Sequence, residues 1–94
     1  DFKAAPLSIA YIDNFGNCKT TAWAEDIGHE AGKKIKTTWG EVMCYDRLKD
    51  VPNGEPGLIV GSSGYRDHRF IELVVQGVSA ANHFGIKQSD PLIS

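Results

Sequence analysis

Apolar and polar residues alternate along this chain in short runs, which is the pattern of β-strands with one buried face. Gly, Pro, Asn and Ser separate these runs, which cover residues 7–12, 18–23, 34–45, 58–60 and 70–76. Short strands at intervals of about 8 to 12 residues are typical of small all-β domains. The pattern therefore predicts a mainly β fold, either a small β-barrel or a sandwich-like domain.

Glycine and proline refine the boundaries of these strands. Gly40 divides residues 34–45, so we expect either two short strands or one strand with a bulge. Residues 50–57 form the clearest turn, with two prolines and an Asn-Gly pair. We expect the Gly-Ser-Ser-Gly-Tyr run at residues 61–65 to interrupt a strand, and residues 66–69 to be a polar insertion.

One short helix is predicted near the C-terminus. Ser79 is suited to the N-cap, Ala80–Phe84 to the helix, and Gly85 to its end. Residues 24–27 form either a loop or a single helical turn. Residues 86–93 are expected to lead into a final strand.

Length and charge limit the classes of function. A chain of 94 residues makes a single domain, residues 1–94, with a thin core, so any deep pocket needs a neighbour. The net charge of −2 argues against nucleic acid and anionic membranes as partners. No apolar run approaches the ~20 residues of a membrane span, and no signal peptide is recognisable. We expect a cytoplasmic protein that begins inside a longer polypeptide, since residue 1 is Asp.

The turn at residues 13–17 is the strongest candidate for a binding site. Its sequence is Asp-Asn-Phe-Gly-Asn, and Asn and Gly tolerate the positive φ angles of a tight, irregular turn. Such a turn leaves the Phe15 ring available for stacking and the Asn17 carboxamide available as donor and acceptor for the edge of an adenine. The alternative is an ordinary hairpin turn whose Phe15 covers the core.

The Gly61–Gly64 segment is a second candidate, because its hydroxyl and backbone N–H groups can hold a carboxylate or phosphate. A flexible serine-glycine loop is the alternative. The surrounding residues do not form the elbow of a catalytic serine. The three histidines and the two cysteines, Cys18 and Cys44, show no metal-ligand spacing, so we expect no metal site and reduced cysteines. Glu72 is expected to be exposed or paired with Arg66 or Arg69.

Three motifs in order resemble one known family. They are Tyr11–Asn17 followed by Thr20, then Gly61–Tyr65, and then Glu72–Ala81 continuing to Pro91. Over roughly residues 8–93 the chain resembles the C-terminal domain of the S-adenosyl-L-methionine (SAM) hydroxide adenosyltransferases, which are related to the fluorinases and chlorinases.

The resemblance implies a small β-barrel-like domain that works beside an α/β N-terminal domain carrying the residues that activate water or halide. In that family the substrate lies at a homotrimer interface. The implied ligand is SAM or adenosine, bound as substrate or product and without a cofactor. The implied reaction is hydrolysis of SAM to adenosine and L-methionine, with no catalytic residue in this domain.

The resemblance also assigns roles to individual residues. It implies that Phe15 packs on the adenosine and that Asn17 reads the adenine edge. Asp13 would accept from the substrate ammonium, and Ser62 and Ser63 would hold the amino and carboxylate groups of the methionine.

Three further positions complete the implied site. The backbone from Val75 to Gly77 would complete the recognition of adenine. Tyr45, at a slightly longer spacing than is usual in the family, would be the second stacking aromatic.

Several positions depart from the family pattern. Thr21 replaces the usual Asn, and Lys19 stands at a position that is aromatic in the fluorinases. Ser63 stands where the fluorinases have arginine, which favours hydroxide over halide. Two other functions remain open for the chain: a stand-alone nucleoside-binding module, and an oligomerisation module without a ligand.

Overall fold

The computed structural model describes residues 7–65 and 68–92, with the backbone alone for residues 62–65 and 68–69. Two antiparallel sheets and two short helices form the described part, so the prediction of a mainly β, sandwich-like domain is confirmed, without a closed barrel. In chain order the elements are β1 (Ile9–Ile12), β2 (Cys18–Trp23), α1 (Ala24–Ile27), β3 (Lys34–Thr37), β4 (Gly40–Met43), a 3-10 helix (Leu48–Asp50), β5 (Pro56–Tyr65), β6 (His68–Val75) and α2 (Ala80–Phe84).

The larger sheet has the strand order β1-β2-β6-β5, and the smaller sheet is the hairpin β3-β4. Tyr45 N donates to Leu58 O over 2.9 Å, so the chain that leaves β4 continues alongside β5. On the other edge, Ile9 N donates to Asp90 O over 2.8 Å, so the C-terminal segment runs beside β1. Other segments of the same polypeptide therefore cover part of both edges of the larger sheet.

Strand β6 is buried on both of its faces. Ile71, Leu73 and Val75 point into the main core, which β1, β2, the β3-β4 hairpin and α2 also enter. Val74 points to the opposite face and packs there with Val51 and Ile59 in a second cluster. The central strand is thus fixed from two sides, and the segment that follows it has a rigid base.

The β5-β6 hairpin corrects one prediction. Residues 61–65 were expected to interrupt a strand, whereas β5 continues to Tyr65. Val60 pairs with Ile71 and Gly64 pairs with Arg69, so four steps along β5 match two steps along β6. The additional residues are taken up by an irregularity in register, and the strand resumes beyond it.

The structure confirms other details. Helix α2 spans the predicted residues, with Ser79 Oγ accepting from Asn82 N at 3.1 Å and Gly85 at φ 70° ending it. Residues 24–27 form a helical turn, and residues 34–45 contain two short strands, of which β4 begins at Gly40 with φ 115°. The predicted final strand is reduced to a bridge between Ser8 and Pro91 within the described residues. Over those same residues, no helix has the length and apolar character to cross a bilayer.

Candidate functional site

The side chain of Asp13 shapes the turn between β1 and β2. Its Oδ1 accepts from the backbone N–H of Phe15 at 2.9 Å and of Asn17 at 3.0 Å. The backbone closes the same turn, since Gly16 N donates to Asp13 O over 2.9 Å and Asp13 N donates to Asn17 O over 3.1 Å. This network holds Phe15 with 79% of its surface exposed. A large aromatic ring is therefore presented to solvent by a well-bonded turn.

The turn is docked on the start of α2. Ala81 N donates to Gly16 O over 3.0 Å, and Gly16 adopts φ 82°. A Cβ at Gly16 would overlap both the side chain and the backbone of Ser79. Only glycine combines this backbone angle with so close an approach. The contact fixes Phe15 and Asn17 beside the segment that joins β6 to α2.

A groove of about 540 Å³ lies where the turn, the 3-10 helix and the β6-α2 segment meet. Its lining is mostly apolar and comes from three distant parts of the chain: Phe15, Asn17, Leu48, Val75, Gly77, Val78 and Ser79. Four residues predicted from the sequence, Phe15, Asn17, Val75 and Gly77, thus line one groove.

Three lining residues, Leu48, Val78 and Ser79, were missed by the sequence analysis. Ser79 was assigned only as the helix cap, and Val78 was treated as part of a motif. Leu48 carried a usable signal, because it is the only apolar residue in the polar run at residues 46–50. In the structure it is 37% exposed, and Val78 is 52% exposed. Exposed aliphatic side chains beside an exposed aromatic ring are typical of ligand or partner contacts.

The other predicted site residues are not in the groove lining. Tyr45 packs against the cluster of Val51, Ile59 and Val74. Asp13 lies behind the turn, where one carboxylate oxygen is engaged by backbone N–H groups. The side chains of Ser62 and Ser63 lie outside the described residues, so their proposed contacts with methionine stay predictions.

The prediction that Glu72 is exposed is wrong. It does lie on the opposite face from Ile71 and Leu73, but it is 6% exposed and bonded to Lys19. Lys19 Nζ donates to Glu72 Oε2 over 2.8 Å. The carboxyl group is accommodated beside Gly61, where a Cβ would overlap it. Arg66 lies outside the described residues, as does the side chain of Arg69.

Beneath the turn lies Cys18, which is fully buried and unbonded to Cys44, as expected for reduced cysteines. Burial, assisted by the negative charge of Asp13, raises the pKa of the Cys18 thiol to about 11. Burial also raises the pKa of the Cys44 thiol. A thiolate is therefore disfavoured at neutral pH, and neither cysteine has the character of a nucleophile.

The groove has the chemistry of a binding site. Its described lining has no titratable side chain, and its polar groups are the Asn17 carboxamide, the Ser79 hydroxyl and the backbone. Within the described residues the Asn17 carboxamide has no hydrogen-bond partner, whereas its backbone N–H is bonded to Asp13. An apolar groove with an unpaired amide suits a flat, uncharged ring with a donor and an acceptor on one edge.

Solved structures with this fold include the following two. An uncharacterized conserved protein from Thermotoga maritima matches 89% of this chain with a TM-score of 0.74 and 20% identity. A conserved hypothetical protein from Thermus thermophilus matches 94% of this chain with a TM-score of 0.72 and 26% identity. This chain spans 33% and 34% of the length of those two chains, respectively. No curated protein sequence matches significantly.

A family model matches nearly all of the described chain. It covers residues 7–93 and is described as the SAM hydroxide adenosyltransferase C-terminal domain. The matched range contains the β1-β2 turn, the 3-10 helix and the β6-α2 segment, and therefore all of the described residues that line the groove.

Proposed function

We propose that this chain, which belongs to the SAM hydroxide adenosyltransferase C-terminal domain family, is the substrate-binding part of an enzyme that hydrolyses SAM to adenosine and L-methionine. The observation that carries this proposal is the convergence of Phe15, Asn17, Val75 and Gly77 in one apolar groove. The family resemblance had assigned these four residues to adenosine recognition.

The groove supplies what an adenine ring needs. The exposed Phe15 ring offers a face for stacking, which is commonly worth about 1–3 kcal/mol per base. The Asn17 carboxamide offers one donor and one acceptor to the edge of the base. Val75 and Gly77 also line the groove, and the Gly77 backbone is proposed to complete the recognition of the base. A neutral lining favours the uncharged base over the charged methionine end.

The methionine end would lie outside the groove. Ser62 and Ser63 are proposed to hold its amino and carboxylate groups, and Asp13 to attract its ammonium. The remaining part of the pocket would come from an α/β N-terminal domain in a homotrimer. Such a division fits a small domain whose groove is open to solvent on one side.

In the proposed reaction, water or hydroxide attacks the C5′ atom of the ribose. A new C–O bond forms while the C–S bond breaks, and the bonding electrons pass to sulfur, which leaves as the neutral thioether of methionine. The attacking water releases its proton to solvent or to a base. The described lining of the groove has no titratable group, so this domain would orient the substrate while the N-terminal domain activates the water.

Calorimetry tests the proposal with the natural polypeptide that contains this chain. Adenosine and SAM are expected to bind, and Phe15→Ala and Asn17→Ala each to weaken binding by about ten-fold or more. Tyr11→Ala and Asn53→Ala are matched controls, because these side chains are exposed and lie outside the groove lining.

Product analysis completes the test. Incubation with SAM is expected to release adenosine and L-methionine in equal amounts. Binding without turnover would favour a nucleoside-binding module that lacks catalysis. If the natural polypeptide binds neither ligand, the proposed function is wrong.

A further inference from the structure

The side chain of Gln76 spans from the end of β6 to the 3-10 helix. Its Nε2 donates to Leu48 O over 2.8 Å and to Val51 O over 3.3 Å. Both partners are carbonyl oxygens, so the side-chain nitrogen, and not its oxygen, has to face them. One carboxamide thus binds the first residue of the 3-10 helix and the residue that follows its end.

The backbone of Gln76 is fixed as well. Gly54 N donates to Gln76 O over 2.8 Å, and Gln76 N donates to Glu55 O over 3.1 Å. Gln76 also follows Val75, which is 2% exposed in the main core. Its side chain therefore extends from a rigid base and fixes the position of the 3-10 helix relative to the larger sheet.

The 3-10 helix has little else to hold it in place. None of its residues is buried, and Leu48, its groove-lining residue, projects an apolar side chain at the surface. Within the segment, Val51 N donates to Leu48 O over 3.0 Å, which shapes the turn but does not attach it to the sheet. The buried side chain of Val51 and the carboxamide of Gln76 supply that attachment.

We propose that Gln76 is a positioning residue for the ligand: it holds Leu48 as the apolar wall of the groove, so that the base lies between Leu48 and Phe15. This inference rests on the proposed function. In this arrangement Leu48, and not Tyr45, is the second side chain that contacts the base. The Tyr45 ring supports the same segment through its contact with the Val51 cluster, and Leu48 contacts the ligand.

The arrangement has a consequence for specificity. A branched aliphatic side chain offers no π face, so the base is stacked on one side by Phe15 and covered on the other by methyl groups. Because the Leu48 backbone is tied to β6, the distance between the two walls is set by the fold. We therefore expect flat rings to bind there in preference to puckered or bulkier groups.

The test compares adenosine affinities of the natural polypeptide that contains this chain. Leu48→Ala and Gln76→Met are each expected to weaken binding about five-fold, from lost apolar contact with the base. The Leu48→Ala, Gln76→Met double variant is expected to be little worse than either single variant, because Gln76 acts through Leu48. Lys49→Ala, in the same 3-10 helix, and Gln88→Met, in an exposed turn, are the controls and should bind normally.

The outcomes separate this inference from the proposed function. If the parent binds adenosine and Phe15→Ala weakens it, but Leu48→Ala does not, the wall assignment is wrong and the proposed function stands. If the losses from Leu48→Ala and Gln76→Met simply add, the positioning role is wrong. If the parent binds neither adenosine nor SAM, both are wrong. Should Gln76→Met fold poorly, Leu48→Ala still decides the wall assignment, because the Leu48 side chain is partly exposed and its truncation leaves the core intact. Gln76→Glu, which keeps the side-chain length but cannot donate to the two carbonyl groups, then takes the place of Gln76→Met in the double-variant comparison.

Discussion

Lys19 and Glu72 are direct partners in the β2-β6 ladder, and the Lys19 ammonium donates to Glu72 Oε2 over 2.8 Å. The Glu72 side chain is 8% exposed and that of Lys19 is 26% exposed, so the pair is largely withdrawn from water. Removing one partner leaves a buried charge without compensation, which costs more than the loss of a surface pair.

We therefore expect Lys19→Met to lower the free energy of unfolding by about 2 kcal/mol, typical of a lost charged hydrogen bond. Urea denaturation followed by circular dichroism measures it. Lys36 and Glu41 provide a matched control, since they are also cross-strand partners but both are exposed. Lys36→Met should cost about 0.5 kcal/mol or less. Equal effects at the two positions would show that burial of the Lys19 pair is unimportant.

Asp13 allows its structural role to be separated from its proposed contact with the substrate. Asp13→Ala removes the acceptor for two backbone N–H groups and should lower the free energy of unfolding by about 1–2 kcal/mol. Asp13→Asn keeps an oxygen acceptor but removes the charge. It should retain stability and adenosine affinity while weakening the binding of SAM, whose ammonium has no counterpart in adenosine.

Calorimetry with both ligands checks this prediction. If Asp13→Asn binds SAM as tightly as the parent does, the role of Asp13 is limited to shaping the turn. A parallel loss for adenosine and SAM would mean instead that Asn does not preserve the turn.

Gly16 is predicted to be a sensitive position for the groove. Gly16→Ala places a methyl group at φ 82° and against Ser79, so both backbone strain and a clash arise. Gly54→Ala is the control, since Gly54 has φ 77° but an open space around its Cβ position. It should cost about 1–2 kcal/mol, the usual strain of a left-handed residue.

Thermal denaturation measures how much more stability is lost in Gly16→Ala than in Gly54→Ala. This difference is the cost of disturbing the close contact between the turn and α2. We expect that variant to bind adenosine poorly as well, because Phe15 and Asn17 flank the displaced residue. Equal destabilisation in the two variants would mean that Ser79 moves aside at little cost.

The Cys18 thiol makes stability depend on pH at the alkaline end. Its pKa is raised from 9.0 to about 11 by burial and by Asp13, so the folded state retains the proton longer than the unfolded chain. The stabilisation is complete below pH 9 and is lost as the pH rises from about 9 to 11. Urea midpoints over this range should fall more steeply for the parent than for Cys18→Ala. Identical slopes would show that the thiol titrates normally.

The sequence predicted the strands and α2 well, because local signals specify them. Alternation marked β2 to the residue, and Ser79 with Gly85 delimited α2 because both caps act within one turn of helix. The Gly61–Tyr65 segment was misjudged because glycine and serine signal a loop, whereas pairing with β6 overrides their local preference. The burial of Glu72 also escaped prediction, since it depends on Lys19 in another strand and on the space that Gly61 leaves.

For the groove, the sequence predicted the residues that belong to a recognisable motif. Phe15 and Asn17 were recognised because an aromatic ring and a carboxamide held among turn-forming residues can stack on a base and bind its edge. Leu48 did not, because its role depends on a hydrogen bond from Gln76, which is distant in sequence. Tyr45 was assigned from the family resemblance, and its contact with the base stays a prediction; in the structure its ring packs against the cluster of Val51, Ile59 and Val74.

The docking of Gly16 on α2, together with the bond from Gln76 to Leu48, gives the groove a contribution from the beginning, the middle and the end of the chain. A molecule seated there would act as a reversible cross-link among these three segments. Saturation with it should slow amide hydrogen exchange at all three segments together, including amides that never touch it. Occupancy would thus make a thin domain behave as one cooperative unit.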